Sequence, residues 1–159
     1  METDKFKVIR DTSEKQGFGW WFREDDRCDG TIVQNLNTGD YTIKGAEDIF
    51  VIERKRNTGE FAINIFEDRF YRELERLDSF EHPFMILEFT MDDMVHFPRN
   101  SGVPQNKWSK LKVTPKLMIK KFLEISCNYK TKIILAGDYG MPIAFSLFKR
   151  IKEIEQKNT

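Results

Sequence analysis

Gly39-Asp40-Tyr41, followed by Phe50-Val51-Ile52-Glu53-Arg54-Lys55, is the stretch that decides how this chain is read. Glu53 stands thirteen positions after Asp40, at the end of an apolar run with the character of a strand. Alternate side chains of a strand share a face, so Glu53 and Lys55 point one way and Arg54 the other. The segment thus offers a loop carboxylate, a strand carboxylate and a strand ammonium. Two convergent carboxylates suit a hard cation, and a nearby lysine can hold an attacking water or a phosphate oxygen. That combination is equipment for metal-assisted phosphodiester hydrolysis.

The segments around it follow an ordered pattern. Val8-Ile9-Arg10-Asp11-Thr12-Ser13-Glu14-Lys15-Gln16 is a strand running into a charged turn. Asp68-Arg69-Phe70-Tyr71-Arg72-Glu73-Leu74-Glu75-Arg76-Leu77 is an amphipathic helix, and Phe84-Met85-Ile86-Leu87-Glu88-Phe89 is a buried strand. Together with Gly39-Asp40 and Glu53-Arg54-Lys55, this order resembles the XPF-type structure-specific endonucleases of the PD-(D/E)xK superfamily. The chain departs from their pattern at Ser13 (usually Arg), Gly59-Glu60 (a nearby Asp), Asp68 (Gly) and Glu73 (Gln).

The resemblance implies an α/β fold with a restriction-endonuclease-like mixed sheet flanked by helices on both faces. It implies a metal-dependent DNA endonuclease acting on branched, flapped or otherwise structured DNA with Mg²⁺ or Mn²⁺. Asp40 and Glu53 would be core metal ligands, with Asp11 near the metal directly or through water, and Lys55 would orient the water. Arg54 belongs to the catalytic signature, yet its opposite strand face also suits locking neighbouring elements or touching DNA. Arg69 and Arg76 are phosphate-contact or structural candidates, and Arg56 is a further DNA candidate. Glu14 and Glu88 either flank the site or serve structure. Members of the family pair through this domain, so a homodimer or heterodimer is expected. The other reading is a catalytically silent nuclease-like subunit that binds DNA or a partner.

Composition is compatible with this. The 159 residues, 40% hydrophobic with 14 Phe, suffice for one domain with a substantial core. No helix-hairpin-helix module is visible, and a compact stand-alone nuclease of a virus or mobile element is the expectation. A charged content of 33%, without an apolar run of membrane-spanning length, argues against a membrane span. Met1-Glu2-Thr3-Asp4 does not open a signal peptide, so an intracellular, soluble protein is expected: cytoplasmic in a prokaryote or infected cell, nuclear in a eukaryote. Cys28 and Cys127 read as packing residues. Gly-rich phosphate loops are absent, so no nucleotide cofactor is expected, and His82 and His96 lack ligand spacing.

Overall neutrality conceals a division of charge. Residues 101–159 carry a net +8 and residues 1–100 a net −8. A basic C-terminal part gathers phosphates while an acidic site gathers cations, although solvated helix faces would show the same count. Within it, the long irregular stretch from Thr90 to Lys112 interleaves Lys107, Trp108, Lys110 and Lys112. Trp108 could stack on a base there or lie tucked under a surface loop.

Strands are expected at Phe6–Asp11, Thr31–Leu36, Tyr41–Lys44, Phe50–Lys55, Phe84–Phe89 and Lys132–Ala136. Turns at Asn37-Thr38-Gly39 and Gly45 to Asp48 would join the second to the third and the third to the fourth. Helices are expected from Glu60 to Glu67, from Phe70 through Leu77, from Thr114-Pro115 to Asn128 and from Met141 to Gln156. The second Gly-Asp-Tyr, at 137–139, lacks a following Glu-x-Lys and reads as a strand-to-helix turn.

Overall fold

The structure is a computed structural model and describes residues 4–14 and 17–158. Lys15 and Gln16, which end the opening motif, and most of the N-terminal segment lie outside the described residues. Six strands form one mixed sheet: β1 (Phe6–Arg10), β2 (Cys28–Val33), β3 (Tyr41–Ile43), β4 (Phe50–Lys55), β5 (His82–Leu87) and β6 (Lys132–Leu135). Their spatial order is β2-β1-β3-β4-β5-β6. β3 runs antiparallel to both neighbours, whereas β1 with β2, and β4 with β5 and β6, are parallel.

The helices are α1 (Thr58–Asn64), α2 (Asp68–Leu77), α3 (Met91–Val95), α4 (Pro115–Asn128) and α5 (Gly140–Lys157). Strand alternation splits the core in two. Phe50 and Ile52 point with Phe6, Val8, Tyr41 and Ile43 toward Ala144, Phe148 and Ile151 of α5. Val51, Met85 and Leu87 point to the other face, against Phe61, Phe70, Leu74, Met118 and Ile125 of α1, α2 and α4. The sheet is therefore covered on both sides, as an α/β domain with central parallel strands requires.

Three details depart from the expected elements. β2 does not form a hairpin with β3; it pairs in parallel with β1, which lies between them. β1 is the better central strand because Phe6, Val8 and Ile9 are all buried. The stretch from Thr90 to Lys112 is not structureless. It holds α3, opened by a capping box in which the Thr90 side chain accepts from the Asp93 backbone N–H and Asp93 accepts from that of Thr90, and a 3₁₀ turn over Gln105–Lys110. β6 is a half-buried edge strand, not a fully buried one. The second Gly-Asp-Tyr is the turn expected of it, one 3₁₀ turn between β6 and α5. Among the described residues no helix is long and apolar enough to cross a membrane.

Candidate active site

Asp40 is placed by its neighbours in the chain. Gly39 has φ of +81°, and a Cβ there would collide with the Val51 side chain and crowd the Ile52 carbonyl oxygen. Only glycine fits such a close approach in the left-handed region. Asp40 then donates its N–H to the Ile52 carbonyl at 2.8 Å, and its carbonyl accepts the Asp11 N–H at 2.8 Å. Its carboxylate accepts the Arg54 N–H at 2.8 Å. The loop carboxylate is thus fastened to β4 at the level of Glu53.

Glu53 and Lys55 share the face of β4 that looks toward α2, as strand alternation requires. Lys55 Nζ lies 3.3 Å from Glu53 Oε1 and 5.2 Å from the centre of the Phe70 ring. Both side chains are about nine-tenths buried. They form the floor of a cleft of about 410 Å³, whose walls include Asp11, Asp40, Arg69, Glu73 and Arg76.

The electrostatics of this floor are those of crowded negative charge. Burial, then repulsion from Glu53, holds the Asp40 carboxyl well above the usual carboxylate range, against the Arg54 N–H that favours its anion. Burial pushes Glu53 up to about 7; Lys55 opposes the rise, while Glu73, which can accept a hydrogen bond from the protonated Glu53 carboxyl, adds to it. Desolvation and like charge act in the same direction on both groups. The ammonium of Lys55 offsets part of this charge, and a bound cation would offset more.

Asp11 is occupied elsewhere. One of its carboxylate oxygens accepts the Leu36 N–H at 2.7 Å, and the other accepts the Ser13 N–H at 3.1 Å and the Ser13 hydroxyl. Among the described residues no group of three or more His, Cys, Asp or Glu side chains could hold a metal ion. Asp11 thus lines the cleft with Asp40 and Glu53 while its two oxygens also close the turn after β1.

Arg54 projects to the opposite face. Its guanidinium pairs with Glu88, lies 3.0 Å from Glu14, and stacks over the Trp20 ring at 4.7 Å. It also donates to the Phe18 carbonyl at 2.6 Å. Burial works against its charge, but Glu88 and Glu14 outweigh this and raise its pKa above the ordinary value. Of the roles open to it, the structure gives Arg54 the lock that ties β4 to Glu14, Phe18, Trp20 and Glu88. The same geometry makes Glu14 and Glu88 its structural counter-ions.

Arg69 and Arg76 both line the cleft. Arg76 pairs with Glu73, and Arg69, three-quarters exposed, lies 3.3 Å from Glu67. Arg56 lines an adjoining recess that shares Ser13, Asp40 and Glu53 with the cleft. Glu60 also lines it, and its carboxylate accepts the Arg56 N–H at 3.3 Å. Lys107, Lys110 and Lys112 are exposed but none lines cleft or recess. Trp108 is tucked in, half-buried with Nε1 donating to the Val103 carbonyl at 2.9 Å.

Glu73 is the site residue that motif reading passed over. Its Oε1 accepts the Gly39 N–H at 3.2 Å and its other oxygen pairs with Arg76. The signal was present: Arg69, Glu73 and Arg76 recur at helical spacing, which puts all three on one face of α2.

The fold is a mixed six-stranded α/β sheet covered on both faces. The model of the ERCC4 domain matches residues 10–145, and the chain belongs to that family. Among solved structures, XPF from Aeropyrum pernix superposes with a TM-score of 0.58 and 18% identity, covering 91% of this chain and 60% of that one. The same protein in complex with DNA gives 0.59 and 18%, covering 94% of this chain and 66% of the other. The chain thus spans somewhat under two thirds of those relatives, and the likeness is one of fold. No curated protein sequence matches it.

Proposed function

We propose that this domain is a metal-dependent DNA endonuclease that hydrolyses phosphodiester bonds in branched or flapped DNA. One observation carries the reading: Asp40 and Glu53 share the floor of a cleft that also holds Lys55, 3.3 Å from Glu53, and is flanked by Arg69 and Arg76. Two such carboxylates fit a hard divalent cation, with water and phosphate oxygens completing its shell. Mg²⁺ or Mn²⁺ held by them would acidify a bound water and offset charge on the scissile phosphate.

The chain's own residues supply the rest. Lys55, braced between Glu53 and the Phe70 ring, aims an ammonium at the cleft, where it orients water and neutralises charge gathering on the phosphate. Arg69 and Arg76 draw the backbone phosphates into place. Arg54 keeps β4 fixed from behind, so the Glu53–Lys55 pair is held without having to move.

The test is direct. Purified protein is incubated with labelled flap, fork, nicked and linear DNA, with and without Mg²⁺ or Mn²⁺. Cleavage that depends on the ion supports the reading; no cleavage of any substrate overturns it. The hydrogen bonds that Asp11 already accepts from Leu36 and Ser13 favour a second reading, a nuclease-like subunit that binds DNA without cutting it, and that second outcome would select it.

The family-type partner, a second copy or a sister domain, has a surface suited to it. An apolar groove along α5 beside the open edge of β6 is lined by Leu135, Pro142, Ile143 and Leu147, with Tyr139 70% exposed at its end. Sedimentation of wild type against Tyr139→Glu tests it: an unchanged association state would exclude this face.

A further inference from the structure

Phe18 and Trp21 are 61% and 47% exposed, on a segment whose neighbouring side chains are anchored. Trp20 and Phe22, their neighbours, are buried. The Trp20 N–H donates to the Tyr41 hydroxyl at 2.6 Å, the Phe22 N–H to the Thr31 hydroxyl at 2.9 Å, and the Phe18 carbonyl accepts from Arg54 at 2.6 Å. The backbone is pinned and the two rings are turned outward. A solitary exposed aromatic needs no explanation, but each of these carries a guanidinium. Arg56 lies 4.7 Å from the Phe18 ring centre, and Arg10 lies 5.2 Å from that of Trp21.

Position adds the decisive point. Phe18 and Arg56 line the recess that shares Ser13, Asp40 and Glu53 with the main cleft. Cleft and recess therefore adjoin at these three residues, with Arg69 and Arg76 of α2 lining the one and Phe18 the other. A polynucleotide with a phosphate at the carboxylates would present its next nucleotides to that ring. A base within a duplex has both faces covered by its neighbours; an unpaired base has a free π-face, and stacking is how proteins hold it.

We propose that Phe18 is a stacking platform for an unpaired DNA base next to the scissile phosphate, with Arg56 meeting the flanking backbone. The proposal rests on the nuclease reading and specifies the substrate side of it: the enzyme selects a junction between paired and unpaired DNA because duplex alone leaves the platform empty. Arg54 links the two functions, holding the Phe18 backbone from between Glu53 and Lys55.

The experiment measures equilibrium binding in chelator, so that no cleavage occurs, with a fluorescent 5′- or 3′-flap oligonucleotide and a blunt duplex of equal length. Phe18→Ala lowers flap affinity about 5- to 150-fold, the range for losing one base–aromatic stack, and leaves duplex affinity within about twofold. Phe18→Tyr retains the flap preference. A melting temperature equal to wild type excludes a merely structural effect; a fall in melting temperature with equal losses on both DNAs overturns the proposal. Unchanged flap affinity in Phe18→Ala also overturns it, and points to a protein partner for this ring. The two readings fail differently. A protein that cleaves with Mn²⁺ but shows no ring-dependent flap preference refutes the platform alone. A protein that never cleaves yet shows the preference refutes only the hydrolysis.

Discussion

Glu53 and Lys55 meet at 3.3 Å on one face of β4, while Arg54 between them reaches through to Glu14 and Glu88 on the other. Three consecutive charged side chains are thereby buried at the end of a strand without an unmatched charge. The arrangement separates chemistry from support: the outer two face the cleft, and the middle one fixes the strand that carries them. Burying charge is costly unless it is paired, and each member here has its partner on its own side of the sheet.

Asp40→Asn, Glu53→Gln and Lys55→Ala are each expected to lower cleavage by about 100-fold or more, the scale on which removing one positioned electrostatic or acid–base group acts. Fold and most DNA affinity should remain, since the phosphate contacts proposed for Arg69 and Arg76 lie on α2. Single-turnover rates with saturating flap DNA check this, and a wild-type rate for Glu53→Gln removes the residue from the mechanism.

Stability should respond to divalent ions and, without them, to pH. An ion bound only by the folded chain stabilises it by about 2.7 kcal/mol at ~100 times its Kd, so Mg²⁺ or Mn²⁺ raises Tm by several degrees and does so less in Asp40→Asn. In chelator, the raised pKa of Glu53 makes the folded state hold a proton that the unfolded chain has released. Stability is therefore lost as pH rises from about 4.5 to about 7, the interval between the ordinary and the folded value. Glu53→Gln flattens that fall. Thermal melts across the interval decide it, and a wild-type Tm that increases from pH 4.5 to 7 with an identical slope in Glu53→Gln contradicts it.

The sheet and the carboxylate pair were legible because both are written in local patterns. Period-two alternation gives the faces of Glu53, Arg54 and Lys55, and Gly39 announces the turn that delivers Asp40. The pairing of β2 was not legible: its partner β1 lies eighteen or more residues away, and local turn residues at 37–39 favour the hairpin that long-range packing overrides. Asp11 shows the other limit. Its place in the motif is legible, but not the backbone N–H groups of Leu36 and Ser13 that its two oxygens accept. Trp108 is similar, since nothing in its sequence neighbourhood shows the Val103 carbonyl that holds it down.

Arg54→Met is expected to cost about 3–5 kcal/mol, because removing one partner of a buried ion pair leaves charge uncompensated, here on Glu14 and Glu88. The Glu88→Gln variant should soften the loss when combined with it, because it removes one stranded carboxylate. A double-mutant cycle by denaturant unfolding measures the coupling. Arg54→Met that unfolds like wild type but no longer cleaves would instead make this a reacting group.

Lys107, Lys110 and Lys112 test how far the basic C-terminal part reaches the DNA. All three are exposed, on or just past the 3₁₀ turn, and none lines cleft or recess. If they grip phosphates, replacing them together with Gln weakens binding to every DNA alike and flattens the dependence of affinity on salt by up to about three units of slope. Cleavage at saturating DNA is unchanged, since the carboxylates are elsewhere. Trp108→Ala should loosen its own loop, not discriminate flap from duplex, because the ring is already tied to Val103. Titrations at several salt concentrations separate these effects. A triple variant with unaltered affinity and slope assigns the electrostatic grip to Arg56, Arg69 and Arg76, which already line the cleft and recess beside Asp40 and Glu53.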